Sequence, residues 1–242
     1  MDIKLKGSIY DNYNKHLSNY EDVSIKGLER WKNYYHINYN RFLPSDKNAK
    51  ILDIGCGHGR LLYYLKSRGY HNIHGIDISS QQIKAAIQNG FDSVECASAF
   101  DFLNNKREEY DAIIMIDILE HIEKSEELQL LNKVHNALKI NGRVILQLPN
   151  ALSLFNEFLY QDITHETAFT SGSARQILDI AGFKNINIYS VMPPSHGLKR
   201  LVASLMWWLF WQNLIRFYML SVNGNLMGDV YTGNLMAIAE KR

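Results

Sequence analysis

Three groups of residues in this chain have the types and spacing to do chemistry. The first is ILDIGCGHGR at residues 51–60, an apolar run that ends in glycines at Gly55, Gly57 and Gly59. Glycines gather where backbone must turn sharply or approach a ligand with no Cβ in the way. A dinucleotide fingerprint wants its third glycine at position 60, but Arg60 stands there and the glycine comes one residue early. A pyrophosphate is therefore not the expected guest, which disfavours an NAD-dependent oxidoreductase. The second group centres on Asp77, about twenty residues beyond the glycines, where an open α/β sheet sets a carboxylate against the two hydroxyls of a ribose. Asp77, Ser79 and Ser80 would also suit a helix N-cap; the order and spacing relative to the glycines favour the ribose.

The third group is Asp117, Glu120 and His121 in DAIIMIDILEHI, joined by His165 in the polar stretch DITHETAF. A helical turn starting at Asp117 would bring the first three to one face, by their i, i+3, i+4 spacing. Histidine has the ordinary pKa best suited to taking a proton from a hydroxyl near neutrality, so His121 is the first candidate base and His165 the second. A structural His121 bridging to the next loop is the plainer alternative. The four side chains also make a mixed oxygen and nitrogen set able to hold Mg²⁺ or Mn²⁺ while vicinal hydroxyls complete the shell.

These groups need a scaffold, and the rest of the sequence supplies one. From Lys50 onward short β-branched runs alternate with helix-length segments: ILDIG, NIHGID, DSVEC, DAIIMID and RVILQLP. That alternation predicts a βαβ series with a parallel sheet, and helices over 60–67, 80–89 and 125–138, the last stopped by Asn141-Gly142. Beyond Pro149 come the segment 151–160 and a polar loop, and the pattern then predicts a helix over 173–181, a strand over 185–190 and a final strand over 234–239. Residues 1–45 are read as an N-terminal cap, with a lid helix over Gly27–Leu43. Residues 46–192 and 233–242 are read as the core of a single domain, and 193–232 as an apolar helical insertion, since long extra segments in a compact sheet are usually functional.

At these residues the sequence resembles the class I S-adenosylmethionine-dependent methyltransferases, over roughly residues 45–190 plus the last strand: ILDIGCGHG is similar to their first motif and GIDIS to their acidic strand end. The resemblance implies an α/β, Rossmann-like fold with a seven-stranded, mostly parallel sheet whose last strand is antiparallel, and S-adenosyl-L-methionine as cofactor. It implies a cradle of Asp53, Gly55, Cys56, Gly57, Gly59, Asp77, Ile78, Ser98, Ala99 and Asp117, with Asp53 helping to hold the methionine end. Ala97-Ser98-Ala99 departs from the family's Gly-Asp-Ala, so a serine hydroxyl stands where an acid usually meets the adenine amine. The Asp117, Glu120, His121 and His165 set resembles the Glu-x-x-Glu-His plus distant His of metal-dependent small-RNA 2′-O-methyltransferases and, less fully, of ubiquinone-pathway O-methyltransferases. Asp117 replaces the first Glu.

The insertion contains LVASLMWWLFWQNLIRFYML, residues 201–220, where three of the four tryptophans fall together. Gln212, Asn213 and Arg216 argue against a membrane span. A core or dimer helix, the wall of a hydrophobic acceptor pocket, and an interfacial helix at a membrane surface are the remaining readings. PNALSLFNEFLYQDITHETAFTSGSARQILDIAGF, with the insertion and GNLMAIAEK, resembles bacterial methyltransferases of surface polysaccharide biosynthesis, which implies a saccharide hydroxyl as acceptor, free, nucleotide-linked or lipid-linked. A phenolic quinone precursor is the alternative acceptor, and a cofactor-binding interaction subunit without turnover the alternative outside enzymes. Lys plus Arg total 26 against 25 Asp plus Glu, so no overall field favours nucleic acid. Two cysteines and an N-terminus lacking an apolar run point to a reduced, cytoplasmic protein.

Overall fold

The structure is a computed structural model that describes residues 22–154, 157–160, 162–192, 198–224 and 230–242. The cap segment 1–21, positions 193–197 and 225–229 of the insertion, and positions 155, 156 and 161 of the polar stretch lie outside the described residues. Seven strands form one sheet: β1 (Ile51–Ile54), β2 (Ile73–Asp77), β3 (Val94–Cys96), β4 (Tyr110–Ile116), β5 (Leu138–Pro149), β6 (Lys184–Ser190) and β7 (Asn234–Glu240). Their order is β3-β2-β1-β4-β5-β7-β6, with β7 antiparallel to both neighbours and the other pairings parallel. This is the expected Rossmann-like sheet with its reversed last strand.

Central strands of a sheet covered on both faces read as unbroken apolar runs. Ile51, Leu52 and Ile54 of β1 and Ala112 to Met115 of β4 are accordingly buried. Between the strands run α1 (Ile25–Tyr39), α2 (Arg60–Ser67), α3 (Ser80–Gln88), the single turn α4 (Ala99–Phe102), α5 (Glu127–Ala137), the short α6 (Glu157–Tyr160) and α7 (Ser171–Ile180). The insertion is a helical rod of α8 (Leu198–Met206), a wide π-turn (Trp207–Trp211) and α9 (Gln212–Asn223).

The register fixes where chemistry can sit. Ile54 pairs with Ile76 and with Met115, so β1, β2 and β4 end together and release Gly55, Asp77 and Asp117 at one edge. Pro149 pairs with Asn234 and Ser190 with Leu235, so the insertion leaves and re-enters the sheet at that same edge.

Several expectations are corrected. The helix expected over Gly27–Leu43 is α-helical to Tyr39 and continues as a 3-10 turn, Asn40–Phe42. Its inner side is buried at Leu28, Tyr34, Tyr35 and Tyr39, and Tyr35 stacks on Tyr64 of α2 at 5.8 Å. Asn141-Gly142 stops no helix, because α5 ends at Ala137 and the chain is extended from Leu138. Asn141 instead takes φ 64° inside β5, where the register against β4 shifts. Beyond Pro149 the chain turns at Ala151-Leu152 before α6, and α4 appears where no helix was expected. The insertion is not core. Most of its large side chains are exposed.

Candidate active site

The glycine loop adopts conformations that a side chain would oppose. Gly55, Gly57 and Gly59 have φ of 77°, 53° and 96°, and a Cβ on Gly59 would lie 2.6 Å from the Phe91 ring. The loop is tied to β2 from both sides: Gly55 N and Cys56 N donate to Ile76 O at 2.8 and 2.9 Å, and Gly57 N donates to the Asp77 carboxylate at 2.9 Å. The other Asp77 oxygen accepts from Ser79 N at 2.8 Å. Asp77 therefore braces the loop as well as ending the strand, and Ser79, which caps α3 through Gln82 N, takes the N-cap role. Next to it Ile78 presents an apolar side chain that is 61% exposed.

Asp53 lies beneath the loop, 2% exposed. Burial, with the Asp77 carboxylate nearby, pushes its pKa up to about 8. A buried acid held this way is poised for a cation to arrive. Ser98 caps α4 by accepting from Phe100 N at 3.2 Å, and Ala99 opens that turn. The Cys56 side chain belongs to the buried cluster with Leu62, Ile83, Ala86 and Phe91, and its thiol lies 3.7 Å from Gly57 O.

The polar cluster lies beyond β4. Asp117 is not on a helical turn, because it takes φ 53° and the turn begins at Leu119. Its carboxylate accepts from Gln147 Nε2 at 3.0 and 3.1 Å, while Gln147 Oε1 accepts from Tyr34 Oη at 2.6 Å and Tyr39 Oη at 2.5 Å. Burial raises Asp117 to about 6, against the lowering effect of the Gln147 hydrogen bonds. Glu120, His121 and His165 do come together, each with a ligand atom within 4.8 Å of the others. The expected four-residue set thus becomes three, with Asp117 turned towards Gln147.

Glu120 is fully buried, and among the described residues no other residue donates to its carboxylate. Burial, then the Asp117 charge, holds its pKa well above the usual carboxylate range, against the lowering effect of its own backbone N–H. The two imidazoles sit edge to face, 4.7 Å between centroids. The single hydroxyl proton of Thr164 goes to Asp162 at 2.7 Å. Thr164 Oγ1, 2.8 Å from His121 Nδ1, therefore accepts, so Nδ1 carries the proton and Nε2 the lone pair. Leu159 O, 2.9 Å from His165 Nδ1, can only accept and imposes the same tautomer. The loop is pinned by its backbone too: Glu166 N donates to Glu120 O at 2.7 Å and Thr164 N to Asp162 at 2.8 Å.

Residues 29–188 match the methyltransferase-domain family. The chain belongs to that family. Its fold is similar to that of a solved S-adenosylmethionine-dependent methyltransferase from Archaeoglobus fulgidus, at TM-score 0.65 and 21% identity over 88% of this chain and 94% of that one. Among curated relatives, phosphoethanolamine N-methyltransferase 3 of Arabidopsis thaliana is 27% identical over 51% of this chain and 25% of its own length. Ubiquinone biosynthesis O-methyltransferase of Hydrogenovibrio crunogenus is 27% identical over 58% of this chain and 59% of its own. The matches thus span less than two thirds of these two relatives.

S-adenosylmethionine is the cofactor of this methyltransferase family, and the glycine loop, Asp53, Asp77 and Ile78 lie where the sheet edge can receive it. The methyltransferase domain also holds residues that the sequence did not single out: Gln147, Tyr34 and Tyr39 behind Asp117, and Asp162 and Thr164 behind His121. Thr164 and Asp162 flank His165 in DITHETAF, so their nearness to one candidate was visible; their contact with His121 was not. Thr164→Val keeps the shape and removes the acceptor that fixes the His121 tautomer. Turnover is expected to fall about 10- to 100-fold, with unchanged S-adenosylhomocysteine affinity and a tautomer change visible in the imidazole ¹⁵N spectrum. Wild-type turnover in that variant would show that the hydroxyl does not position His121.

Proposed function

We propose that this domain catalyses O-methylation of a small molecule with vicinal hydroxyls, a saccharide by our reading, using S-adenosylmethionine and an ion held by Glu120, His121 and His165. The observation that carries this is Glu120: a fully buried carboxyl to which no other described residue donates, beside two imidazoles that share one tautomer. Buried polar groups are almost always satisfied, and an exception points to a missing ligand or ion. Two imidazoles and a carboxylate suit Mn²⁺ better than Mg²⁺, which favours oxygen alone. When bound, such an ion supplies Lewis-acid polarisation that lowers the pKa of an acceptor hydroxyl.

The chain's own residues do the rest. Methyl transfer is an in-line displacement at a sulfonium carbon, so the acceptor must be aligned and deprotonated. Asp162 and Thr164 orient His121, and Leu159 O orients His165. Asp53 would take the charged methionine amine, Asp77 the ribose hydroxyls, Ile78 one face of the adenine, and Ser98 its amino group. In the absence of an ion, His121 Nε2 is the group placed to accept the hydroxyl proton. Support for a saccharide comes from the resemblance of residues 149–183 and the insertion to surface-polysaccharide methyltransferases. The likeness to a ubiquinone biosynthesis O-methyltransferase favours a second acceptor with the same vicinal hydroxyls, a catechol. An amine acceptor needs no hydroxyl activation and leaves the buried Glu120 unexplained, as does a subunit without turnover.

The test is S-adenosylhomocysteine release from purified protein offered sugar diols or a catechol, before and after chelation and with Mn²⁺ restored. Activity lost on chelation and recovered with Mn²⁺ is expected. Activity indifferent to chelation would leave His121 as the base and remove the ion from the proposal. Turnover with an amine alone would overturn O-methylation.

A further inference from the structure

The insertion rod exposes an apolar surface that no contact among the described residues explains. Trp208, Leu209, Phe217 and Tyr218 are 60–73% exposed, and Leu205, Phe210, Leu214 and Val222 are also open to solvent. Only a narrow stripe is part-covered: Ser204, Trp207, Gln212, Ile215 and Met219. The five-residue step from Trp207 to Gln212 falls on the π-turn, whose wider spacing keeps that stripe in line. A helix apolar over most of its circumference must be covered by something.

The charges indicate what covers it. Residues 198–224 contain Lys199, Arg200 and Arg216 and no acid at all. A second copy packed on this rod would set these cations against the same cations, with no carboxylate on either helix to offset them. A negatively charged lipid surface complements them. Tryptophan and tyrosine suit the boundary where one end of a side chain is apolar and the other wet. No described helix is long and apolar enough to cross a bilayer.

We propose that α8, the π-turn and α9 dock the domain on an anionic lipid bilayer. Because the insertion leaves and re-enters the sheet beside Pro149 and Asn234, docking holds the edge that carries Gly55, Asp77 and Asp117 close to the membrane, where an acceptor carried on a lipid would reside. The docking itself does not depend on the acceptor or on the ion.

The experiment is flotation of the full chain with phosphatidylcholine vesicles, with and without phosphatidylglycerol, alongside sedimentation velocity without lipid. Wild type is expected to float with the anionic vesicles, to stay behind with the neutral ones, and to lose binding as salt rises. Arg216→Gln is expected to weaken binding about fivefold, the effect of one cation near a charged bilayer. Trp208→Ser with Phe217→Ser, both exposed, is expected to abolish flotation while S-adenosylhomocysteine binding persists, which shows the fold intact. Absence from both vesicle fractions, or equal binding to both, would overturn the proposal. So would a lipid-free dimer that the same double substitution dissolves, since a second copy would then be the occupant. None of these readouts requires methyl transfer, so failure of the O-methylation reading remains a separate result.

Discussion

Glu120→Gln is expected to reduce methyl transfer by about 10²- to 10⁴-fold, because it removes a charged ligand of the ion that assists deprotonation of the acceptor hydroxyl. Stability should move the other way. The Glu120 carboxyl is fully buried with no donor from any other described residue, and its folded pKa stands well above 4.5. The folded state therefore holds the Glu120 proton more tightly than the unfolded chain does. That contribution is fully present below the unfolded value, and stability falls as pH rises from there. Glutamine has the same shape and never ionises, so the variant, compared after chelation, should melt at or above wild type at neutral pH. Lower activity with equal or higher stability marks a residue kept for function. The checks are turnover, Mn²⁺ binding by calorimetry and thermal melting; wild-type turnover in the variant would remove Glu120 from the chemistry.

Asp77→Ala carries the second large effect. Loss of the hydrogen bonds to a ribose, some of them to a charged acceptor, costs about 1–3 kcal/mol, or roughly 5- to 150-fold in S-adenosylhomocysteine affinity. The same carboxylate holds Gly57 N and Ser79 N, one on each oxygen, so Asp77→Asn, which keeps one of the two acceptors, is expected to lose less affinity than Asp77→Ala. Unchanged affinity in both variants would place the ribose elsewhere. The same calorimetry reports on Asp53, whose pKa of about 8 leaves it largely protonated at pH 7. An arriving ammonium favours the ionised form, so cofactor binding at pH 7 is expected to release a proton and to tighten as pH rises towards 8. Repeating the titration in buffers of different ionisation enthalpy measures that proton, and Asp53→Asn should abolish it.

Where local geometry imposes a residue type, the sequence was legible. Three positive-φ positions between β1 and α2 require glycine or strain, and glycine stands at each. Strands buried on both faces require apolar runs, so β1, β4 and β5 were visible together with the edge at which they end. The acid after β2 followed from the same order. Asn141-Gly142 shows the limit: it reads as a helix stop, yet the same preference for positive φ serves a register shift inside β5. Local propensity names the backbone conformation and leaves open which element uses it.

The candidate site depended on contacts between distant residues. One backbone angle, φ 53° at Asp117, breaks the helical spacing assumed from the sequence and turns that carboxylate to Gln147, which Tyr34 reaches across 113 positions. The His121 tautomer depends on Thr164, 43 positions away. The insertion likewise reads as apolar in any one-dimensional view, and only its exposure distinguishes a docking surface from a core helix. The sequence by itself determined the sheet, the glycine loop and the acids at the strand ends, because each follows from local backbone geometry or from burial along one strand. Only the tertiary structure decided that Glu120, His121 and His165 form the cluster without Asp117, because packing between distant segments sets side-chain direction and the hydrogen-bond partner of each imidazole.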